Sequence, residues 1–267
     1  MLAKKILQGD KMIYISTNMY KPESVMSVTK ILDHFSKDEV GIELFIFNNS
    51  EDFIREVNEN IDRLKEYSIT FHGPYLQTDH SAPKGSDLYN RTIELYKQSL
   101  EFDKALKPKY IVFHTNNKII EEKQEMIKNA FKNLDEIKGW SKTPLVIENA
   151  GVGKNSLFDE EEFIKAIQNR EENTLIDIGH VKANGWDLEN VIENLKDKIV
   201  SYHIHTNDGK HDQHLSVSED YDELKSFVKL YKKYTPNADL VLEYNSTYEG
   251  KESLVVEDVK ELLEDLK

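Results

Sequence analysis

The chain has no cysteine among its 267 residues, so disulfides, zinc–thiolate fingers and a thiol nucleophile are excluded. Any metal ion must be held by His, Asp and Glu. Long apolar runs are also missing, and none approaches the roughly 18 residues needed to span a bilayer. The N-terminal "MLAKKILQGDKM" has no extended apolar core and no small-residue cleavage site. It reads as an N-terminal extension over residues 1–11 rather than a signal peptide, and the expected compartment is the cytoplasm. An excess of positive charge is lacking as well: the formal net charge is −14. A uniformly acidic surface repels nucleic acid and anionic membranes, although the local field at a binding face decides the matter. No stretch is linker-like or low in complexity, and no shift in composition marks a domain boundary. What is present, 39% hydrophobic and 31% charged residues, suits a globular protein.

Short runs rich in Ile, Val, Leu, Phe and Tyr recur along the chain. They are "MIYIST" (12–17), "VGIELFIF" (40–47), "SITFHGPY" (68–75), "YIVFHT" (110–115), "PLVIENA" (144–150), "TLIDIGH" (174–180), "IVSYHIH" (199–205) and "LVLEYN" (240–245). Amphipathic helical stretches lie between them, for example 22–37, 52–67 and 187–198, and the last covers 253–267. Asp52, Asp159 and Asp187 stand where N-caps are expected, and His34 falls in a helix. Alternating strand and helix patterns over this length predict a single-domain α/β fold, a (β/α)8 TIM barrel. A doubly wound open sheet often carries a glycine-rich turn after its first strand. Here that position reads "TNMYKPES", with no glycine.

A barrel places its chemistry at the C-terminal ends of the strands. Those ends are unusually rich in metal-type ligands: His72, His114, Glu148, Asp177 with His180, then His203 and His205, then Glu243. The loop after the seventh strand adds His211, Asp212 and His214. Alternation puts Ser201, His203 and His205 on the inward face of that strand. Carboxylates gathered near one axis cannot all stay ionised without compensating positive charge. The predicted strands offer no inward Lys or Arg, so a divalent cation is the expected partner. Mixed imidazole and carboxylate ligands suit Zn²⁺, Mn²⁺, Fe²⁺ or Co²⁺. The ligand supply exceeds the four to six that one ion takes.

These segments resemble the xylose-isomerase-like barrel superfamily and, within it, the endonuclease IV group. "FHGPYL" resembles a His-x-x-Tyr-Leu segment, and "IENAGVGKNSL" a Glu-Asn-Thr-Ala-Gly run. "DIGHVKANGWD" is similar to an Asp-x-x-His segment, and "HTND" with "DQH" to a His-x-Asn-Asp and Asp-x-His pair. The resemblance implies three zinc ions. The first would be held by His72, His114 and Glu148. The second would share Glu148 with Asp177, His205 and Glu243. The third would take His180, Asp212 and His214. It also implies that Glu148, Asp177 and Glu243 carry the catalytic step, with His203 and His211 left beside the ligands or in solvent. The implied activity is phosphoester hydrolysis on abasic-site DNA or a small phosphorylated sugar.

The sequence departs from the nuclease pattern where duplex would be gripped. The loop "NNSEDFIRE" lacks basic and aromatic residues, "FHTNNK" replaces His-Pro-Gly, and the gap between "HTND" and "DQH" is short. Tyr75 and Leu76 do match residues that the family inserts into DNA. Lys84, Lys118, Lys154, Lys182 and Lys210 fall in different loops at the predicted active face, and Lys154 and Lys210 join Tyr75 as expected substrate contacts. The alternative is a sugar or sugar-phosphate isomerase or epimerase. It would need a single Mn²⁺ or Co²⁺ on Glu148, Asp177, His205 and Glu243, with the two glutamates passing a proton and His180 binding substrate. No protein or membrane partner is expected.

Overall fold

A computed structural model describes residues 11–267. The expected N-terminal extension therefore lies, apart from Lys11, outside the described residues. Eight strands form a closed, all-parallel barrel in chain order, with the last pairing back onto the first. They are β1 (Ile13–Ser16), β2 (Val40–Phe45), β3 (Ile69–His72), β4 (Ile111–Phe113), β5 (Leu145–Glu148), β6 (Asn173–Asp177), β7 (Ile199–Ile204) and β8 (Asp239–Leu242). All eight overlap the runs read from the sequence. The fold is the expected single (β/α)8 TIM barrel.

Alternation along each strand divides the residues between two cores. Ile42 and Leu44 of β2, Phe71 of β3, Ile147 of β5 and Ile204 of β7 belong to the large layer between barrel and helices. The intervening residues point to the barrel axis and form small separate clusters: Tyr110, Val112, Val146 and Leu175 in one, Met12, Tyr14 and Val241 in another. Helices cover the outer layer with one apolar face. Leu188–Leu195 buries Val191, Ile192 and Leu195, each worth roughly 1.5–3 kcal/mol of transfer free energy. Its side-chain cap is Asp187, and Asp159 forms a full capping box with Glu162.

Local departures have physical reasons. The stretch 22–37 opens as a 3₁₀ segment, Pro22–Val28, with α-helix only over Thr29–Leu32, and His34 stands in the turn that follows. The helix Glu51–Glu59 starts one turn position earlier than expected. Ser50, not Asp52, accepts the capping bond from the Phe53 amide, and Asp52 instead sits in the first turn. Between β6 and β7 the register shifts by a bulge at Thr174/Leu175, which sets Asp177 opposite His203. No helix among the described residues is long and apolar enough to cross a membrane.

Candidate metal centre

The inward positions at the top of the barrel are the ones the strands end on. His72, Glu148, Asp177, His203, His205 and Glu243 are all buried. Each follows from the same alternation that buries the valines and leucines one step below. The surrounding loops add His114, His180, Asp212 and His214, and the whole mouth encloses a cavity of about 620 Å³.

Backbone groups aim the rings. The His72 Nδ1 lies 2.9 Å from the Gly73 carbonyl, and the His214 Nδ1 lies 3.1 Å from the Glu243 carbonyl. A carbonyl only accepts, so each Nδ1 carries the proton and each Nε2 is left as the ligand atom. His180 is positioned by its neighbour in the chain: its amide donates to Asp177 Oδ1 at 2.7 Å, and its Nδ1 lies 3.2 Å from the Asn149 carbonyl. The Asn149 side chain pairs both ways with the Asp177 backbone, accepting from its amide at 2.7 Å and donating to its carbonyl at 3.0 Å. Gly179 is required here, because a Cβ would lie 2.0 Å from the His205 ring.

The loop after β7 is closed by a Thr206–Leu215 bridge, and Asn207 donates to the Gly179 carbonyl at 2.8 Å. Asp208 accepts from the amides of Lys210 and His211 and so holds the turn. His214 adopts φ +46°, the left-handed region that a side chain enters only when its surroundings insist. That conformation stacks its ring 3.9 Å from His205.

The ligand atoms gather in groups within 4.8 Å of one another: His72, His114 and Glu148; His180, His205, Asp212 and His214; and Glu148, Asp177 and His203. The structure thus brings all nine residues expected as ligands to one mouth, with a different partition. His205 sits with His180, Asp212 and His214, although its Nε2 also lies 3.0 Å from Asp177 Oδ2. Glu243 Oε2 lies 3.0 Å from the His203 Nδ1.

Two features of the residues present fit divalent cations. The His114 Nε2 and Glu148 Oε2 lie 2.6 Å apart, yet neither atom has a hydrogen-bond partner. The Nδ1 atoms of His203 and His205 are likewise buried without partners. Buried polar atoms are rarely left this way, and an ion between them would satisfy them. Without an ion, protons take the same place. Burial pulls the His180 imidazole down, but Asp177, Asp212 and Glu148 outweigh it and raise it to about 10. Burial likewise opposes Glu243, Asp212 and Asp177 at His214, which is raised to about 9. Against the cost of burial, His114 and His203 hold Glu148 far below the usual carboxylate range, and His203 and His214 do the same for Glu243.

Other expected residues fall differently. Tyr75 packs edge-on 5.0 Å from the His114 ring and lines the cavity beside the exposed Leu76. Lys210 also lines it, but the predicted ring of lysines does not form. Lys84 pairs with Glu136 and Lys182 with Glu223, while Lys118 and Lys154 are exposed away from the cavity lining. His211 is exposed and pairs with Asp208. His203 is fully buried and does not reach solvent. His80 is a core residue, packed 4.4 Å from Phe113 and pushed down by burial to about 3. The sequence reading missed Glu43, a fully buried acid on β2 whose oxygens both lie 3.2 Å from the His203 Nε2. Its signal was a lone charge inside "VGIELFIF", on the inward phase of the strand. It also missed Asn18, Asn116 and Ser246 in the cavity lining.

An uncharacterized protein of Methanocaldococcus jannaschii is 25% identical over 212 residues, covering 76% of this chain and 82% of that protein. Among solved structures, a D-tagatose 3-epimerase-like protein matches with TM-score 0.74 at 17% identity, over 96% of this chain and 99% of that one. SacUVDE matches with TM-score 0.59 at 15% identity, over 95% and 99%. At these identities the structural matches speak for the fold. Residues 34–266 match the family described as "Xylose isomerase-like TIM barrel", and the chain belongs to that family.

Proposed function

We propose that this chain is a divalent-metal-dependent enzyme that hydrolyses phosphoester bonds in a small, hydroxyl-rich substrate. The observation that carries the reading is the surplus of ligands. An isomerase quartet of Glu148, Asp177, His205 and Glu243, with His180 on the substrate, leaves His72, His114, Asp212 and His214 without employment. Yet those four fall into two tight groups, one with Glu148 and one with His180 and His205. Nine ligands shared at three or four per ion correspond to about three ions. Bound cations supply a hydroxide source near neutral pH and neutralise charge gathering on phosphate oxygens.

The chain's own residues divide the remaining work. Glu148 and Glu243 keep the polar floor of the cavity anionic. Tyr75 covers His114 and limits water. Lys210 at the rim offers one cation to a phosphate, and Asn18 and Ser246 offer polar groups to hydroxyls. A single lining lysine among the described residues, in a protein of net charge −14, favours a small substrate over duplex DNA.

A second reading, sugar isomerisation or epimerisation, is favoured by the names of several matching structures, among them a D-allulose 3-epimerase from Methylomonas sp.. It uses the same cavity with one ion. Elemental analysis of the purified protein separates the two. About three zinc or manganese ions per chain, with release of phenolate from a bis-aryl phosphate, is the expected result. One ion per chain, with solvent-proton exchange into a ketose and no phosphodiester cleavage, replaces the proposal by the second reading.

A further inference from the structure

Beneath the proposed ligands lies a pair of residues that neither functional reading uses. Glu43 and His203 are both fully buried and meet inside the barrel, from β2 and β7, which β1 and β8 separate. The His203 Nε2 lies 3.2 Å from both Glu43 oxygens. An ionised carboxylate only accepts, so this contact places the proton on Nε2. The opposite ring atom, Nδ1, has no hydrogen-bond partner. It faces three carboxylates at 3.0 Å (Glu243), 3.6 Å (Glu148) and 3.7 Å (Asp177). A lone pair turned toward three acids is repelled unless something positive stands among them. A carboxylate behind one imidazole nitrogen, with the other nitrogen aimed at a cation, is the usual way a metal-binding histidine is oriented.

We infer that His203 is a metal ligand through Nδ1, binding from below an ion shared with Glu148, Asp177 and Glu243, and that Glu43 is the positioning residue that sets its tautomer. The inference rests on the metal-centre reading above but not on which reaction the centre performs. It makes His203 different in kind from its neighbours. His72, His180 and His214 have Nδ1 turned to a carbonyl oxygen, which leaves Nε2 as their ligand atom. The His114 and His205 Nε2 atoms face Glu148 and Asp177. The His205 Nδ1 is also buried without a partner, but it is the His203 Nδ1 that faces three carboxylates.

The test loads apo protein, labelled with ¹⁵N-histidine, with ¹¹³Cd²⁺ and reads the imidazole nitrogens by long-range ¹H–¹⁵N correlation. The expected spectrum has a ring coupled to cadmium through Nδ1 while its Nε2 keeps a proton, and that signal is absent in His203→Ala and shifts in Glu43→Gln. In a zinc titration against a chelator, His203→Ala weakens one equivalent by about 100-fold or more. Glu43→Ala weakens the same equivalent by roughly 10–100-fold, and Glu43→Gln restores part of the loss because its amide oxygen still accepts from Nε2–H. Loaded wild-type protein with no Nδ1-coupled ring overturns the inference, and this arm stands even if His203→Ala fails to fold. A folded His203→Ala that binds every equivalent as tightly as wild type also overturns it. Wild-type protein that binds no cadmium or zinc removes the metal-centre reading itself. Bound metal with an Nδ1 signal but no phosphodiesterase activity leaves this inference standing and removes only the reaction.

Discussion

The two ends of the barrel axis bury acids in opposite ways. At the floor, Asp239 is answered by an amine: Lys109 Nζ lies 2.8 Å from it, and the Met12 amide donates to it at 3.1 Å. Around this pair the axis is filled by Tyr14, Val112, Val146 and Leu175. At the mouth, Glu148, Asp177 and Glu243 are just as buried, but the side chains that answer them are imidazoles, with the His180 amide also donating to Asp177. An amine and a carboxylate 2.8 Å apart need no ion between them, so the floor pair is complete by itself. An imidazole exchanges its proton for a metal ion, so the mouth is a place where positive charge can be swapped. The strands themselves offer no Lys or Arg, as expected, and the amine at the floor comes from Lys109, just before β4.

Substitutions at the two ends sharpen this contrast. Glu148→Ala should have the largest effect, lowering activity by more than about 100-fold and stripping bound metal, because Glu148 stands in two of the ligand groups. Its melting temperature without metal should fall as well, because the ionised Glu148 is held by His114 and His203. Elemental analysis and calorimetry on the same sample check both halves. Lys109→Met should cost stability alone. Removing one partner of a buried pair costs about 3–5 kcal/mol, which for a chain of this size lowers Tm by roughly 10 °C. Metal content should stay at the wild-type level, and a loss of metal would break the separation of the two ends.

The pH dependence follows from the mouth alone. His180 and His214 are raised from 6.5 to about 10 and about 9. The stability they lend to metal-free protein is full below about 6.5 and is lost as pH rises through 9 to 10. The depressed carboxylates Glu148 and Glu243 act with the opposite sign and lose their contribution only in strong acid. Tm measured in chelator should therefore decline from pH 6.5 to 10, and zinc should flatten the decline. Because metal must displace those protons, affinity should keep rising to about pH 9–10 rather than level off near 6.5. A chelated Tm that is flat over this range would show that the rings are not charged. The smallest effect is at the rim. Lys210→Ala should raise KM for a phosphorylated substrate by about 10-fold with kcat unchanged, and Lys154→Ala should change neither, since only Lys210 lines the cavity.

Much of this was legible from residue order. Period-two alternation placed each strand, and the rule that barrel chemistry sits at strand C-termini picked out His72, Glu148, Asp177 and Glu243 before any contact was known. Alternation also held the clue to Glu43, yet a single acid in one strand means little until its partner across the barrel is known. His203 was harder to place, because burial at the axis and exposure at the rim look alike in a sequence window. The lysines misled for a related reason: their loops are at the mouth, but nearby acids such as Glu136 and Glu223 capture two of them.

Local information is enough to decide which face of a strand a residue occupies, since that depends only on backbone periodicity, and so the barrel and its ring of acids and imidazoles could be read directly from the order of residues. Which nitrogen meets which oxygen depends on strands far apart in the chain, on a bulge between β6 and β7, and on a loop pinned by Asn207 and by His214 in a left-handed turn. Those contacts vary over distances shorter than a side chain. Only the closed barrel decided that Glu43 stands behind His203, and that a proton or a metal ion must stand in front of it.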